Sequence, residues 1–302
     1  MRWIPKAVRS AIVIGFLAVG SAAACDVQPR ATVPVDLSGS LMVAPVQVNG
    51  IAGRFIVDTG AARTVVTPAA VARFGLELDE WTATTMRGVG GVERRRNALP
   101  RSVTLGGVAL RRRSLSGDSS LRVAALPVDE RIDGLLGRDF LSVFDVDLDP
   151  ARRIMALFTV AGCSGRFVPW PDGYQDIPID PPLDGALLVP AVLDGVRLRA
   201  LLDTGASRTV LSLSGMARMG LTVGGDAPEV ISGLGPRRVT AWPHWFRGLR
   251  IGSDVTVAPM LLAAPIPLQP VSDLLVGLDW IQGRRLWISW STRRLFVAKI
   301  AP

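Results

Sequence analysis

Along most of this chain, short apolar stretches alternate with turn dipeptides, a pattern of strands rather than of long helices. Asn49-Gly50, Gly106-Gly107 and Asp194-Gly195 mark tight hairpin turns. The apolar runs Ile154–Phe158 and Leu295–Val297 predict strands near the end of each half. One short helix is predicted per half. Thr67 is a good N-cap, Pro68 a good first helical residue and Gly75 a good stop; Ser212 and Gly220 hold the same places later.

The pattern repeats. With a shift of 145 residues, Gly50–Leu76 falls on Gly195–Leu221 without a gap, and 13 of 27 positions are identical. The shared centre reads FIVDTGAARTVV from Phe55 and ALLDTGASRTVL from Ala200. Both copies continue in the same order. A glycine-rich segment follows (Gly88–Gly91, then Gly233–Gly235), then a hairpin signal at Leu105–Leu110 and Leu249–Val257. Next come LLGRDFL (Leu135–Leu141) and LVGLDWI (Leu275–Ile281). Such self-similarity is the mark of a duplication. The stretch 161–182, rich in proline, reads as the linker. The expected units are therefore 1–24, 25–160, 161–182 and 183–302.

The N-terminus reads as a targeting segment. Arg2, Lys6 and Arg9 precede the apolar run Ala11–Ala24, which at about 1.5 Å per residue is shorter than a bilayer core. Cys25 follows three alanines, resembling a bacterial lipobox, so it is a candidate for lipidation and for tethering to the inner membrane. The alternatives are a free thiol and a Cys25–Cys163 disulfide in an oxidising compartment. The chain carries 34 Lys+Arg against 26 Asp+Glu. Its arginine runs, Arg94–Arg96 and Arg111–Arg113, lack interleaved aromatics, so no nucleic-acid partner is expected. One His and two Cys exclude common zinc sites; no metal or cofactor is expected. His244 and the tryptophans Trp242, Trp245, Trp280, Trp287 and Trp290 read as packing residues. Asp145, Asp147 and Asp149 read as one polar face of a strand.

A lone Asp-Thr-Gly is an ordinary turn. Here it occurs twice, at Asp58-Thr59-Gly60 and Asp203-Thr204-Gly205, each after an apolar strand and each followed by the hydrophobic-hydrophobic-Gly motif. Two carboxylates brought together cannot both ionise comfortably and share a proton, which suits them to activate water and protonate a leaving group.

On these motifs the sequence resembles the retropepsin-like aspartic peptidases, over roughly Val46–Val160 and Leu187–Ile300. Secreted bacterial members are the most similar. The resemblance implies an all-β, bilobal fold of two closed β-barrel lobes related by a pseudo-twofold axis, with a short helix in each. It implies an endopeptidase of envelope or periplasmic proteins, with Asp58 and Asp203 catalytic and an extended polypeptide as substrate. Thr59 and Thr204 would bond across the axis, and Gly60 and Gly205 would let backbone N–H groups reach the carboxylates. Gly88, Gly90, Gly91, Gly233 and Gly235 would belong to two flaps. Arg63–Asp139 and Arg208–Asp279 are expected as structural ion pairs. A monomer with pseudo-dimeric lobes is expected. The competing readings are a non-catalytic peptide-binding module on this fold and a homodimer pairing each copy with its counterpart.

Overall fold

The computed structural model describes residues 25–110, 120–126, 131–171, 173–180, 185–224, 227–235, 237–268 and 270–300. The targeting segment 1–24 and the Arg111–Arg113 run lie outside the described residues. Among the described residues, no helix is long and apolar enough to cross a membrane.

The two copies fold as two lobes of matching strand order. In the first lobe the spatial order is Val108–Ala109, Val103–Leu105, Val43–Val48, Ile51–Val57, Gly134–Leu136, Val65–Val66, Arg122–Val123. In the second it is Asp254–Val257, Gly248–Ile251, Leu188–Leu193, Val196–Leu202, Leu274–Val276, Val210–Ser212, Met260–Ala264, with Arg238–Trp245 and Glu229–Ser232 added at the end. The duplication read from the sequence is thus a duplication of topology. The closed barrels expected from the resemblance are corrected. Among the described residues neither sheet closes on itself, and the strands form a half-barrel in each lobe. The first sheet ends in strands of two residues, too short a ladder to close a barrel, and the second ends in a projecting hairpin.

A third sheet of six strands joins the lobes. Its order is Asp26–Pro34, Ile154–Ala161, Asp145–Asp149, Arg284–Ser289, Arg294–Lys299, Tyr174–Pro178. The central pairing sets Val146 opposite Ile288, so a hairpin from each lobe meets its counterpart. The expected linker therefore holds more than connection, because Tyr174–Pro178 forms an edge strand. One face packs Phe158, Phe167, Trp170 and Phe296 around fully buried Trp287. Asp145, Asp147 and Asp149 are buried rather than facing water. Asp145 accepts from the Trp287 indole at 3.0 Å, and Arg285 holds Asp147 at 2.6 Å. Burial raises the Asp147 carboxyl, with the bonds to Arg285 opposing it.

The predicted helices form where the caps indicated. Thr67 accepts from the Ala70 N–H ahead of Pro68–Arg73, and Ser212 accepts from the Gly215 N–H ahead of Leu213–Arg218. Gly75 and Gly220 follow with positive φ, +58° and +70°, which glycine adopts without strain. Each lobe also has a second one-turn helix, Arg138–Leu141 and Leu278–Ile281, inside the hydrophobic-hydrophobic-Gly motif. Four residues are too short a run for their periodicity to show.

Cys25 and Cys163 form a disulfide. A sulfur in that bond cannot carry a lipid thioether, so the lipidated Cys25 is corrected to the disulfide alternative. The bond sits where the first strand pairs Asp26 with Ala161.

Candidate active site

Each Asp-Thr-Gly turn leaves the end of a central strand. Ile51–Val57 runs parallel to Gly134–Leu136, and Val196–Leu202 runs parallel to Leu274–Val276. The Asp58 N–H donates to the Leu136 carbonyl at 3.0 Å, and the Asp203 N–H donates to that of Val276 at 2.9 Å. Both turns are thus fixed by ladder bonds before any side chain acts.

Across the axis the threonines interlock. The Thr59 N–H donates to Thr204 Oγ1 at 3.0 Å, and the Thr204 N–H donates to Thr59 Oγ1 at 3.1 Å. Thr59 Oγ1 donates to the Leu202 carbonyl at 2.8 Å, and Thr204 Oγ1 donates to the Val57 carbonyl at 2.6 Å. Both threonines are buried. This is the cross-axis bonding that the resemblance implied.

The structure brings Asp58 and Asp203 together on the floor of one cavity, near enough for each to shift the other's titration. The Ala61 N–H donates to Asp58 Oδ1 at 2.7 Å, and the Gly205 N–H donates to Asp203 Oδ1 at 2.9 Å. A Cβ at Gly60 would stand 2.3 Å from the Asp203 carboxyl carbon, and one at Gly205 would stand 2.4 Å from that of Asp58. Only glycine fits there. Burial pushes the Asp58 carboxyl well above the usual carboxylate range, and the neighbouring Asp203 charge adds to this. Burial also raises Asp203, against its bond from the Gly205 N–H. Such a pair titrates as a unit.

Below the first turn lies a residue that the sequence reading passed over. Arg138 is buried, and its Nη1 donates to the carbonyls of Thr59 at 3.0 Å and Gly60 at 2.7 Å. Its charge favours ionisation of both aspartates. The second copy has Leu278 at this position. That mismatch inside an otherwise matched motif was the signal available in the sequence.

Of the two expected ion pairs, Arg208–Asp279 forms and Arg63–Asp139 needs correction. Arg63 is exposed and has no bridge to Asp139 within 4.0 Å. Asp139 instead accepts from the N–H of Thr64 at 2.9 Å and from its Oγ1 at 2.7 Å. In the second lobe the expected pair is present, with Arg208 Nε 3.9 Å from Asp279, and Thr209 bonds the same carboxylate at 2.8 and 2.6 Å. Each threonine Oγ1 also accepts from the motif glycine, Gly137 at 2.9 Å and Gly277 at 3.2 Å. In the first lobe the short buried hydroxyl bonds the acid and the long arginine reaches outward.

The glycine-rich segments are tips of two hairpins that meet over the aspartates. The first hairpin pairs Glu77–Gly88 with Gly91–Leu99; the second pairs Glu229–Ser232 with Arg238–Trp245. The Gly90 N–H donates to the Leu234 carbonyl at 2.9 Å, and the Arg237 N–H donates to the Gly90 carbonyl at 2.9 Å. A Cβ at Gly90 would lie 2.5 Å from the Gly235 oxygen, and one at Gly88 would lie 2.5 Å from the Leu234 oxygen. The tips also cross. Leu234 packs on the first lobe's cluster of Val43, Ile56 and Leu135, and Val89 packs on the second lobe's cluster of Val210, Ile266 and Leu275. Beneath them runs a cavity of about 560 Å³ that includes Asp58 and Asp203 in its lining.

Two lobes, each giving one Asp-Thr-Gly turn to a shared cleft under paired hairpins, define the retropepsin-like aspartic peptidase architecture in a single chain. The sequence model of the aspartyl protease family matches residues 44–140 and again 189–280, more than half of the chain, and the protein belongs to that family. No curated protein sequence matches the chain.

Proposed function

We propose that this protein is an aspartic endopeptidase in which Asp58 and Asp203 activate water against a peptide bond. The observation that carries the reading is the pair of adjacent carboxyls, one from each turn, raised by burial on the floor of a covered cleft. With one proton shared, the ionised carboxylate takes a proton from water while the protonated one donates to the carbonyl oxygen. The tetrahedral intermediate then collapses as a proton passes to the leaving nitrogen. The main chain of an extended substrate would bond to the flaps as an added strand, and the crossed tips would keep bulk water out. Val43, Ile56, Val210 and Leu275 supply apolar walls on both sides.

The apolar segment before Cys25 and the Cys25–Cys163 bond support action in an oxidising bacterial envelope, on proteins of that compartment. Both aspartates stand in one chain, so a monomer is sufficient for activity. The test is cleavage of a diverse peptide library by the purified protein beside Asp58→Asn and Asp203→Asn variants. Cleavage by the parent alone supports the reading. Equal cleavage by either variant refutes the dyad, and silence from the parent points to a peptide-binding module.

A further inference from the structure

The charges lining the cleft are uneven. Outside the Asp58/Asp203 pair, the only carboxylate among the described lining residues is Asp36, and Arg54 already holds it at 3.0 Å. Three further arginines line the cavity, Arg87, Arg131 and Arg208, and two of them, Arg87 and Arg208, come from different elements on opposite lobes. Arg87 is exposed on the first flap, one residue before its tip, and has no carboxylate within 4.0 Å among the described residues. Arg208 follows the second Asp-Thr-Gly turn, and its one ion pair among the described residues is a long one, 3.9 Å to Asp279, a carboxylate it shares with two bonds from Thr209. The zone nearest the dyad is apolar on both lobes. The cleft therefore presents apolar walls at its centre and under-compensated cations above and beside them.

We propose that the cleft selects polypeptides with acidic residues flanking the scissile bond, with Arg87 and Arg208 as the specificity-determining cations. The inference rests on the peptidase reading for its outcome but not for its chemistry, because charge selection operates on binding alone. An ionised Asp or Glu entering beneath the flaps loses water and meets a guanidinium in a medium of lowered dielectric. A Lys or Arg at the same position is repelled and gains no partner, so the device also rejects basic sequences.

The experiment uses peptides sharing one apolar core and differing only in flanking residues: Asp/Glu, Asn/Gln or Lys/Arg. Cleavage by the purified protein gives kcat/KM for each set, and fluorescence polarisation with the Asp203→Asn protein gives binding of the same peptides. We expect acidic flanks to exceed their amide counterparts by about fivefold at low salt, with the advantage shrinking as salt rises. In Arg87→Gln/Arg208→Gln that ratio should fall towards one. A parent ratio near one, or a ratio untouched by both substitutions, overturns the inference and leaves the peptidase intact. Selective binding of acidic peptides without cleavage of any supports the charge selection while sinking the peptidase reading. Neither binding preference nor cleavage sinks both.

Discussion

Thr59 and Thr204 each donate a backbone N–H to the other's hydroxyl, at 3.0 and 3.1 Å, and each hydroxyl donates onward to a carbonyl of the opposite lobe. Four bonds thus tie the two turns at a buried point directly behind the aspartates. Replacing Thr204 with Val keeps the shape and removes the hydroxyl. The Thr59 N–H and the Val57 carbonyl then lose their partners, at a cost of about 1–3 kcal/mol for each group left unsatisfied. Thr204→Val should lower Tm by several degrees and cut kcat by at least about tenfold through misplacement of Asp203. Thr204→Ser should recover most of both. A Val variant with parental kcat would show that the interlock does not set dyad geometry.

The raised carboxyl pair makes a statement about stability. Burial holds the Asp58 and Asp203 carboxyls above the usual carboxylate range, so the folded state keeps a proton that the unfolded chain releases. Stability from this source is present below the unfolded pKa and is lost as pH rises towards the folded values. At neutral pH the pair is therefore a burden on the fold. Asp58→Asn should be inactive yet melt a few degrees higher than the parent at pH 7, with the gap closing below about pH 4. An Asn variant that melts lower than the parent at pH 7 would contradict the assigned direction.

Arg138 breaks the symmetry of the site. It holds two carbonyls of the first turn, and the second copy has Leu278 in its place. Its positive charge favours ionised aspartates, so removing it should raise both apparent pKa values of the pair. The bell-shaped pH profile of kcat/KM in Arg138→Lys should shift to higher pH by less than in Arg138→Gln, since lysine keeps the charge. Arg138→Leu is expected to lose stability as well, because it leaves the Thr59 and Gly60 carbonyls without that donor. An unmoved profile in Arg138→Gln would limit the residue to a structural role.

The parts of this protein that were legible in the sequence are those set by local chemistry. Thr67 and Ser212 cap helices because a hydroxyl before the first turn satisfies an N–H wherever the helix sits. The two Asp-Thr-Gly turns were visible because duplication printed them twice. Relationships set only by tertiary packing were not legible. Asp139 could pair with Arg63 or with Thr64 on spacing alone, and burial decided for the short hydroxyl. The half-barrels differ from the expected closed barrels because closure depends on the length of end strands, which a fold-level likeness does not specify. The crossing of Val89 and Leu234 onto opposite lobes has no local signature at all.

Cys25 and Cys163 close a loop with a sequence separation of 138. The chain-entropy estimate for a loop of that size is about 5 kcal/mol, an upper figure because strand pairing already brings the ends together. Cys163→Ser should melt well below the parent in the absence of reductant, and dithiothreitol should bring the parent down to the same Tm. Equal melting of parent and variant under oxidising conditions would exclude the bond as a stabiliser.

The flap tips offer the last prediction, because their contact leaves no room for a side chain. At Gly90 an added Cβ would stand 2.5 Å from the Gly235 carbonyl oxygen, and backbone cannot yield as a flexible side chain can. The tips must then part, and the bonds between Gly90, Leu234 and Arg237 are lost. Those bonds lie over the cleft, far from the buried core of either lobe, so the fold should tolerate their loss. Gly90→Val is expected to change Tm by less than a few degrees while raising KM and lowering kcat, with kcat/KM down by about tenfold or more. Gly107→Ala is the matched control, since a Cβ there meets nothing within 4 Å and its φ of +82° imposes only local strain. If Gly90→Val cleaved peptides as fast as the parent, apposition of the tips would have no part in turnover, and the hairpins would be covers rather than lids.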